Sequence, residues 1–215
     1  MDHDTEDLYS QEFWDDRYAS ADRIWSGRVN QWVERLAADL PVGRALDVGC
    51  GEGADAIWLA GRGWQVTAVD VSPVALARAA EHARAADAEA SGRITWRQVD
   101  LIRRPESLTE LGTFDLVSMQ FIHVPSALWD DLYRRLTAAV GPGGALLIAG
   151  HHPSDIGGPI GRPDLPDLFY TPEQVTAYLP EADWRIVKAE APSRAVTHDG
   201  HEVSITDTVV LAVRA

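Results

Sequence analysis

The stretch ALDVGCGEGADAIWLA, at residues 45–60, restricts the fold of this chain more than any other segment. Gly49, Gly51 and Gly53 stand between an apolar run and a run that permits a helix, which is the pattern of a strand, a tight turn and a helix. Glycines let a ligand approach the backbone, and the first turn of a helix presents unpaired N–H groups. The stretch therefore predicts a ligand site at the end of a strand.

Strands and helices are predicted to alternate along the chain. The seven predicted strands cover residues 44–49, 64–70, 93–100, 114–119, 144–150, 184–190 and 202–214, and the predicted helices cover 54–62, 73–90, 127–140 and 172–179. Ser72 and Thr171 each precede a proline and are predicted to cap the following helix. We expect an α/β fold with a seven-stranded, mostly parallel sheet and helices on both faces. The last two strands are joined by a turn-rich stretch without a helix, so the C-terminal strand should be antiparallel.

The length fits a single domain. With 215 residues, of which 46% are hydrophobic, the chain can bury one full core. Residues 1–40 precede the first core strand and are predicted to form a helical lid layer, while residues 41–215 form the ligand-binding core. Residues 151–171 are rich in glycine and proline and too long for a plain connection, so they are predicted to form a substrate loop.

Charge and cysteine content exclude several classes of partner. The chain has 19 Lys and Arg against 33 Asp and Glu, a formal net charge of −14. Such a surface repels phosphate backbones and anionic lipids, so neither nucleic acid nor a membrane is expected as a partner. The single Cys50 cannot form an intramolecular disulfide, and the acidic N-terminal residues do not resemble a secretory signal. These features predict a cytoplasmic protein, and they leave its oligomeric state open.

Acidic side chains end three successive predicted strands. Asp70 follows Gly49 by about 20 residues, the distance at which a carboxylate accepts both hydroxyls of a ribose. Asp47 lies just before Gly49, where it would repel a phosphate but could hold an amino group. Asp100 ends the third strand and could accept from an adenine amino group. The three carboxylates predict a ligand that contains adenosine.

Three functions are compatible with such a ligand. The residues from Gly49 to Ala54 also satisfy the G-x-G-x-x-G/A pattern of nicotinamide enzymes, so a nicotinamide-dependent oxidoreductase is one alternative. Asp47 disfavours it. A non-catalytic module that binds an adenosine cofactor is a second alternative, and an enzyme that uses another adenosine cofactor is the third possibility.

The carboxylates and glycines together resemble the S-adenosylmethionine site of class I methyltransferases. Three segments carry a finer similarity to the small-molecule branch, which includes tellurite-resistance and thiopurine-type methyltransferases; they read FWDDRYASADRIWSGRVNQW (13–32), FDLVSMQFIHV (114–124) and THDGHEVSITDTVVLAVR (197–214). The resemblance implies a Rossmann-like sheet, S-adenosyl-L-methionine as cofactor and a small-molecule acceptor with an oxygen, nitrogen or sulfur nucleophile.

The resemblance also assigns the cofactor contacts. Trp25 lies in a loop from which its aromatic face could approach a sulfonium cation. Cys50, between two glycines, is expected to fill space rather than to act as a nucleophile. The residues predicted to bind the cofactor are Asp47, Gly49, Cys50, Gly51, Gly53, Asp70, Val71, Asp100, Leu101, Gln120 and Trp25.

Three histidines are expected on the rim where the methyl acceptor must lie. His123 follows the fourth predicted strand, and His151 and His152 follow the fifth. Because an unperturbed histidine has a pKa near 6.5, His123 and His151 are predicted as catalytic bases. Tyr18, His152 and Arg162 are predicted to contact the substrate, Arg162 through an anionic group. No metal site is expected, because no set of Cys or carboxylate ligands accompanies the paired histidines.

Overall fold

A computed structural model describes residues 10–104, 106–162 and 164–215. The described helices are α1 (Gln11–Ala19), α2 (Gln31–Leu36), α3 (Ala54–Gly61), α4 (Pro73–Ala86), α5 (Ala88–Ser91), α6 (Glu106–Thr109), α7 (Trp129–Ala138) and α8 (Pro172–Thr176). The described strands are β1 (Arg44–Val48), β2 (Gln65–Asp70), β3 (Ile94–Gln98), β4 (Phe114–Gln120), β5 (Val140–His151), β6 (Trp184–Glu190), β7 (Ser193–His198) and β8 (His201–Arg214). The first nine residues of the predicted lid layer lie outside the described part of the chain.

The strands form one mixed sheet in the order β3-β2-β1-β4-β5-β8-β6. Neighbouring strands from β3 to β5 are parallel, and β8 runs antiparallel to both β5 and β6. The predicted α/β fold with an antiparallel C-terminal strand is therefore confirmed. Because a parallel sheet ends all its strands at one edge, the turns that follow β1, β2, β4 and β5 meet there.

The sheet has one strand more than the predicted seven. The additional strand β7 pairs with the first half of β8, from Ser193 opposite Thr206 to His198 opposite His201. Its residues alternate between exposed and half-buried, so it lacks the apolar face that marks a core strand. The predicted turn is present at Asp199 and Gly200, both with positive φ, as a two-residue hairpin turn requires.

The caps predicted at Ser72 and Thr171 are confirmed, and the predicted helices are shorter than expected; the one predicted over 127–140 covers only Trp129–Ala138. The Ser72 hydroxyl accepts the N–H of Ala75, and Thr171 forms a capping box at α8. The helix predicted over 73–90 is interrupted at Asp87, whose carboxylate caps the separate α5. The helix predicted over 172–179 ends at Thr176.

Helices cover both faces of the sheet. Leu46 and Val48 on β1 face a cluster that includes Tyr133 of α7, whereas Ala45 faces a cluster that includes Leu59 of α3. Successive side chains of a strand point to opposite faces, so β1 contributes to both layers. Among the described residues, no helix has the length and apolarity needed to cross a bilayer.

The N-terminal helices pack beside the edge at which the parallel strands end. Asp15 on α1 accepts the hydroxyl of Ser72 at 2.5 Å, which fixes α1 to the start of α4. Trp32 on α2 donates its indole N–H to the buried Asp207 of β8 at 2.8 Å. The segment between these helices, residues 20–30, crosses the glycine turn and is called the leader below.

Candidate active site

A cavity of about 990 Å³ opens at the carboxyl ends of the parallel strands. The glycine turn, the leader, the ends of β2, β4 and β5 and the loop at 151–171 contribute to its walls. The predicted site residues that line it are Tyr18, Trp25, Asp47, Gly49, Cys50, Gly51, Asp70, Val71, Asp100, Leu101, Gln120, His123, His151 and Arg162. The structure therefore brings fourteen of the predicted residues to one place.

The glycine turn has a left-handed backbone at each glycine. Gly49, Gly51 and Gly53 have φ values of +69°, +52° and +84°, which disfavour any side chain. A Cβ on Gly51 would also lie 2.9 Å from the Tyr18 hydroxyl. A Cβ on Gly53 would lie 2.7 Å from the ring of Trp96, so this third glycine permits close packing of α3 and does not line the cavity.

Asp70 organises the backbone around it. One carboxylate oxygen accepts the N–H of Gly51 at 2.9 Å, and the other accepts the N–H of Ser72 at 3.0 Å. Burial is the main cause that raises the pKa of Asp70. Each carboxylate oxygen can accept more than one hydrogen bond, so the predicted contacts to a ribose stay available.

Asp47 lacks a counter-charge. Its Oδ2 atom is buried and has no hydrogen-bond partner among the described residues. Burial, followed by the charges of Asp55 and Asp70, raises the pKa of Asp47 well above its usual value. Burial also raises the pKa of Asp55 to about 6, although the N–H of Asn30 donates to it at 2.6 Å. No described cation pairs with these three carboxylates, so this end of the cavity favours a positively charged ligand.

Asp100 accepts local backbone hydrogen bonds and also lines the cavity. Its Oδ1 accepts the N–H groups of Ile102 and Arg103 at 3.0 and 2.8 Å, which caps the turn after β3. The side chain is half-buried and lines the cavity.

His123 and His151 form a stacked pair. Their ring centroids lie 4.9 Å apart with an interplanar angle of 10°. The Nδ1 of His123 lies 2.9 Å from the carbonyl oxygen of Leu168. Because a carbonyl only accepts, Nδ1 carries the proton and Nε2 is left as an acceptor. That Nε2, and Nδ1 of His151, are buried without a partner among the described residues.

Both histidines are neutral at ordinary pH. Burial lowers the pKa of His123 to about 4. Burial, helped by the charges of His123, Arg162 and Arg194, lowers the pKa of His151 to about 2. The expected value near 6.5 does not apply here, because the rings are shielded from water and face cations.

Two further predicted residues contribute buried polar atoms, and a third lies elsewhere. Arg162 has a buried Nε with no partner, and Gln120 has a buried Oε1 with none, among the described residues. The amide nitrogen of Gln120 is held by Ser118 at 3.0 Å. His152, a predicted substrate contact, is absent from the described lining and instead caps the turn Pro153–Asp155 through Nδ1.

Glu52 is a site residue that the sequence did not reveal. Its buried carboxylate accepts the N–H groups of Ile24 and Trp25 at 3.2 and 3.0 Å and lies 3.5 Å from Arg78. The Tyr18 hydroxyl accepts the indole N–H of Trp25 at 3.1 Å. The leader is thus fastened to the glycine turn. The one available signal was an acidic side chain inside that turn.

Phe121 is a second residue that the sequence did not reveal. It has a φ of +54°, an unfavourable backbone for a bulky residue, and lies directly after β4. Its ring centroid lies 4.6 Å from that of His151, and its side chain lines the cavity. The strain places an aromatic wall beside the histidine pair.

A family model described as a methyltransferase domain matches residues 45–144. Residues 45–144 thus resemble a methyltransferase domain. The matched residues include the glycine turn, Asp47, Asp70 and Asp100, so the resemblance predicted from those residues is confirmed.

Curated proteins similar to this chain include enzymes of ubiquinone biosynthesis. A ubiquinone biosynthesis O-methyltransferase of Bordetella avium (strain 197N) is 33% identical over 117 residues, 53% of this chain and 45% of the relative. The same-named protein of Xanthomonas campestris pv. campestris (strain B100) is 33% identical over 126 residues, 57% of this chain and 48% of the relative. The chain thus spans about half the length of the curated relatives it matches.

Solved structures share the fold over nearly the whole chain. One solved structure is described as the conversion of a disulfide bond into a thioacetal group during echinomycin biosynthesis. It has a TM-score of 0.71 at 23% identity, and the alignment covers 95% of this chain and 91% of the other. TehB from Haemophilus influenzae has a TM-score of 0.70 at 16% identity and covers 95% of this chain and 67% of the other. Magnesium protoporphyrin IX methyltransferase from Synechocystis PCC 6803, solved with S-adenosylhomocysteine, has a TM-score of 0.62 at 20% identity. The alignment covers 98% of this chain and 97% of the other.

Proposed function

We propose that this protein transfers the methyl group of S-adenosylmethionine to a small-molecule acceptor. The observation that carries the proposal is the buried, unpartnered Oδ2 of Asp47 beside a left-handed glycine turn. A buried carboxylate without a partner is costly, and a ligand amino group would satisfy it. The match to a methyltransferase domain supports this choice of ligand.

The residues present fit this cofactor. Asp47 and Asp55 supply negative charge for an ammonium group, and the backbone of Gly51 lines the cavity beside them. Asp70 lies at the end of β2 for the ribose, and Asp100 lies at the end of β3 on the same wall. A phosphate group would be repelled by the same carboxylates, which disfavours a nicotinamide dinucleotide.

The chemistry needs few groups from the protein. Bound S-adenosylmethionine supplies an electrophilic methyl group on a sulfonium sulfur. An acceptor atom would take this methyl group and lose its proton to solvent, so the protein's part is to orient the acceptor and to exclude water. Nε2 of His123 can accept a hydrogen bond from the acceptor O–H, N–H or S–H and so orient its lone pair. The low pKa of His123 makes it a weak base, which suits an acceptor with an acidic proton.

The leader excludes water from the reaction. Trp25, Tyr18 and Glu52 hold it over the glycine turn, so a bound ligand would be shielded from solvent. The curated relatives are named as O-methyltransferases, so hydroxyl acceptors come first in a substrate screen. A small-molecule acceptor, no nucleic-acid partner and a cytoplasmic location stay predictions of the sequence.

Calorimetry tests the proposal. S-adenosylmethionine and S-adenosylhomocysteine should bind, and NADH should not. Asp47→Asn should weaken S-adenosylhomocysteine binding by about tenfold or more, because it removes a charge-assisted hydrogen bond. Asp39→Asn, at an exposed position away from the cavity, is the matched control and should leave binding unchanged.

Three outcomes separate the candidate functions. Binding of NADH with no binding of S-adenosylhomocysteine would favour an oxidoreductase. Binding of S-adenosylhomocysteine without methylated product from any hydroxyl, amine or thiol in a mass-detected screen would favour a non-catalytic module. An Asp47→Asn variant that folds and binds as tightly as the parent would remove the amino-group assignment.

A further inference from the structure

The charges on the cavity wall are segregated along the sheet. Among the described residues, five carboxylates line the cavity, and all lie on or shortly after β1, β2 or β3: Asp47, Glu52, Asp55, Asp70 and Asp100. At the ends of β4 and β5 and in later segments, the lining cations are Arg162 and Arg194, and the neutral His123 and His151 lie beside them. The acidic half is the part assigned above to the cofactor. The basic half is therefore the part left for the methyl acceptor.

Arg162 is the unsatisfied cation of the basic half. Its Nε is buried without a partner, and no described carboxylate lies within ion-pair distance of its guanidinium. By contrast, Arg194 already pairs with Asp207, at 2.5 Å from its Nε. The remaining lining arginines, Arg17 and Arg28, belong to the N-terminal region and are exposed. The charges of Asp155 and Asp207 act on Arg162 without forming an ion pair, so its half-buried guanidinium still has a free donor for an anionic ligand.

The loop that carries Arg162 is fixed to the sheet. Both carboxylate oxygens of Asp155 accept the N–H of Thr206 on β8 at 3.0 Å. The backbone of Arg162 forms an isolated parallel bridge with that of Ile156. These contacts fix the backbone of Arg162 beside the cavity, which reduces the entropy lost when a ligand binds.

The free edge of the guanidinium selects the shape of the anion. Nε and one terminal nitrogen form a planar fork, which matches the two oxygens of a carboxylate. Phe121 and Phe169 line the cavity near the same end and pack against the neutral rings of His151 and His123. An apolar, planar body would pack against these rings.

We propose that the methyl acceptor is a small planar molecule with a carboxylate-type anionic group, which the Nε edge of Arg162 binds at the basic end of the cavity. This proposal rests on the proposed function, which assigns the acidic end of the cavity to the cofactor. The protein has a formal net charge of −14, so a cavity end with arginines differs from the mostly acidic protein around it. Anion binding there is a property of the site and not of the general surface.

Matched acid and amide probes test the proposal. Benzoate and benzamide have the same shape and differ in charge, and both are titrated by calorimetry into the protein loaded with S-adenosylhomocysteine and into the free protein. Benzoate should bind about tenfold or more tightly than benzamide, as expected for a bidentate charge-assisted contact. Arg162→Gln should abolish that preference and leave S-adenosylhomocysteine affinity unchanged. Arg162→Lys, which keeps the charge but loses the planar fork, should restore only part of it.

Arg84→Gln is the control for the change in net charge. Arg84 is exposed on α4 and absent from the cavity lining, so this variant should keep the parent's preference for benzoate. Equal binding of the two probes, no benzoate binding at millimolar concentration, or a preference that survives Arg162→Gln would each overturn the proposal. If the parent protein does not bind S-adenosylhomocysteine, that result would instead contradict the proposed function. The titration of the free protein keeps the two outcomes distinguishable.

Discussion

At the scale of single residues, the site is defined by buried atoms that lack partners. Asp47 Oδ2 at the acidic end and His123 Nε2 at the basic end are both shielded from water and unpaired within the described chain. Each such atom costs about 1–3 kcal/mol, which a ligand with the complementary group recovers. Both atoms accept hydrogen bonds, but the carboxylate also favours a positive charge, whereas the neutral Nε2 needs only a donor.

The acidic end should make cofactor affinity depend on pH. The pKa of Asp55 is raised to about 6, and that of Asp47 is also raised, so these carboxyls take up protons as the pH falls. The amino group of S-adenosylhomocysteine stays charged there and prefers ionised carboxylates. Calorimetry from about pH 7.5 to about pH 5 should show affinity falling below pH 6, by up to about tenfold per pH unit for each proton that must leave.

Asp55→Asn is the control for that dependence. It removes one of the titrating groups, so the loss of affinity with falling pH should be shallower than in the parent protein. An affinity that is constant from neutral to mildly acidic pH would mean that no charged ligand group lies near these carboxylates.

His123 should affect turnover and not cofactor binding. His123→Gln removes the oriented acceptor at Nε2, so kcat should fall while S-adenosylhomocysteine affinity stays constant. Because the pKa of His123 is lowered to about 4, kcat measured with saturating cofactor should show no inflection near pH 6.5 from this group. An inflection near 6.5 that disappears in His123→Gln would show that this histidine is exposed to solvent and titrates normally.

At the scale of elements, the leader and the glycine turn act as one unit through Glu52. Its carboxylate holds two backbone N–H groups of the leader and one arginine of α4. A turn whose backbone must approach a ligand is thereby linked to the segment that covers that ligand. Closure of the leader and cofactor binding should therefore stabilise each other.

Glu52→Gln tests this link. The amide keeps one acceptor oxygen but loses the negative charge, so the N–H groups of Ile24 and Trp25 should exchange with solvent faster, with a loss of about 1–3 kcal/mol in local protection. Hydrogen exchange followed by mass spectrometry measures this. Glu81→Gln, exposed on α4, is the control. Unchanged protection of the leader in Glu52→Gln would mean that other contacts hold it.

Elements with a strong local signal were the ones that the sequence predicted. The core strands have continuous apolar runs, and Ser72 and Thr171 mark helix starts through hydrogen bonds to nearby N–H groups. β7 was missed because its residues alternate between exposed and half-buried positions without an apolar run. Only its hydrogen bonds to β8 make it a strand. The end of α4 was missed because an aspartate such as Asp87 can also lie on the exposed face of a continuous helix.

At the scale of the whole molecule, the sheet determines which site residues a sequence can reveal. Asp70 and the glycines are tied by a fixed spacing within one strand–turn–helix–strand unit, so their meeting is predictable. The stacking of His123 on His151 and the contact of Glu52 with the leader join segments from different parts of the chain. Their partners depend on the strand order β1-β4-β5 and on how residues 20–30 return across the turn.

A crystal structure with S-adenosylhomocysteine tests the central claim most directly. The proposed function predicts that the ligand lies at the carboxyl ends of β1 and β2, with its amino group within about 3 Å of Asp47 Oδ2 and its ribose hydroxyls at Asp70. The ligand should leave the basic end, around His123 and Arg162, open for an acceptor. A ligand bound elsewhere, or one whose amino group points away from Asp47 while another group fills that place, would contradict the account.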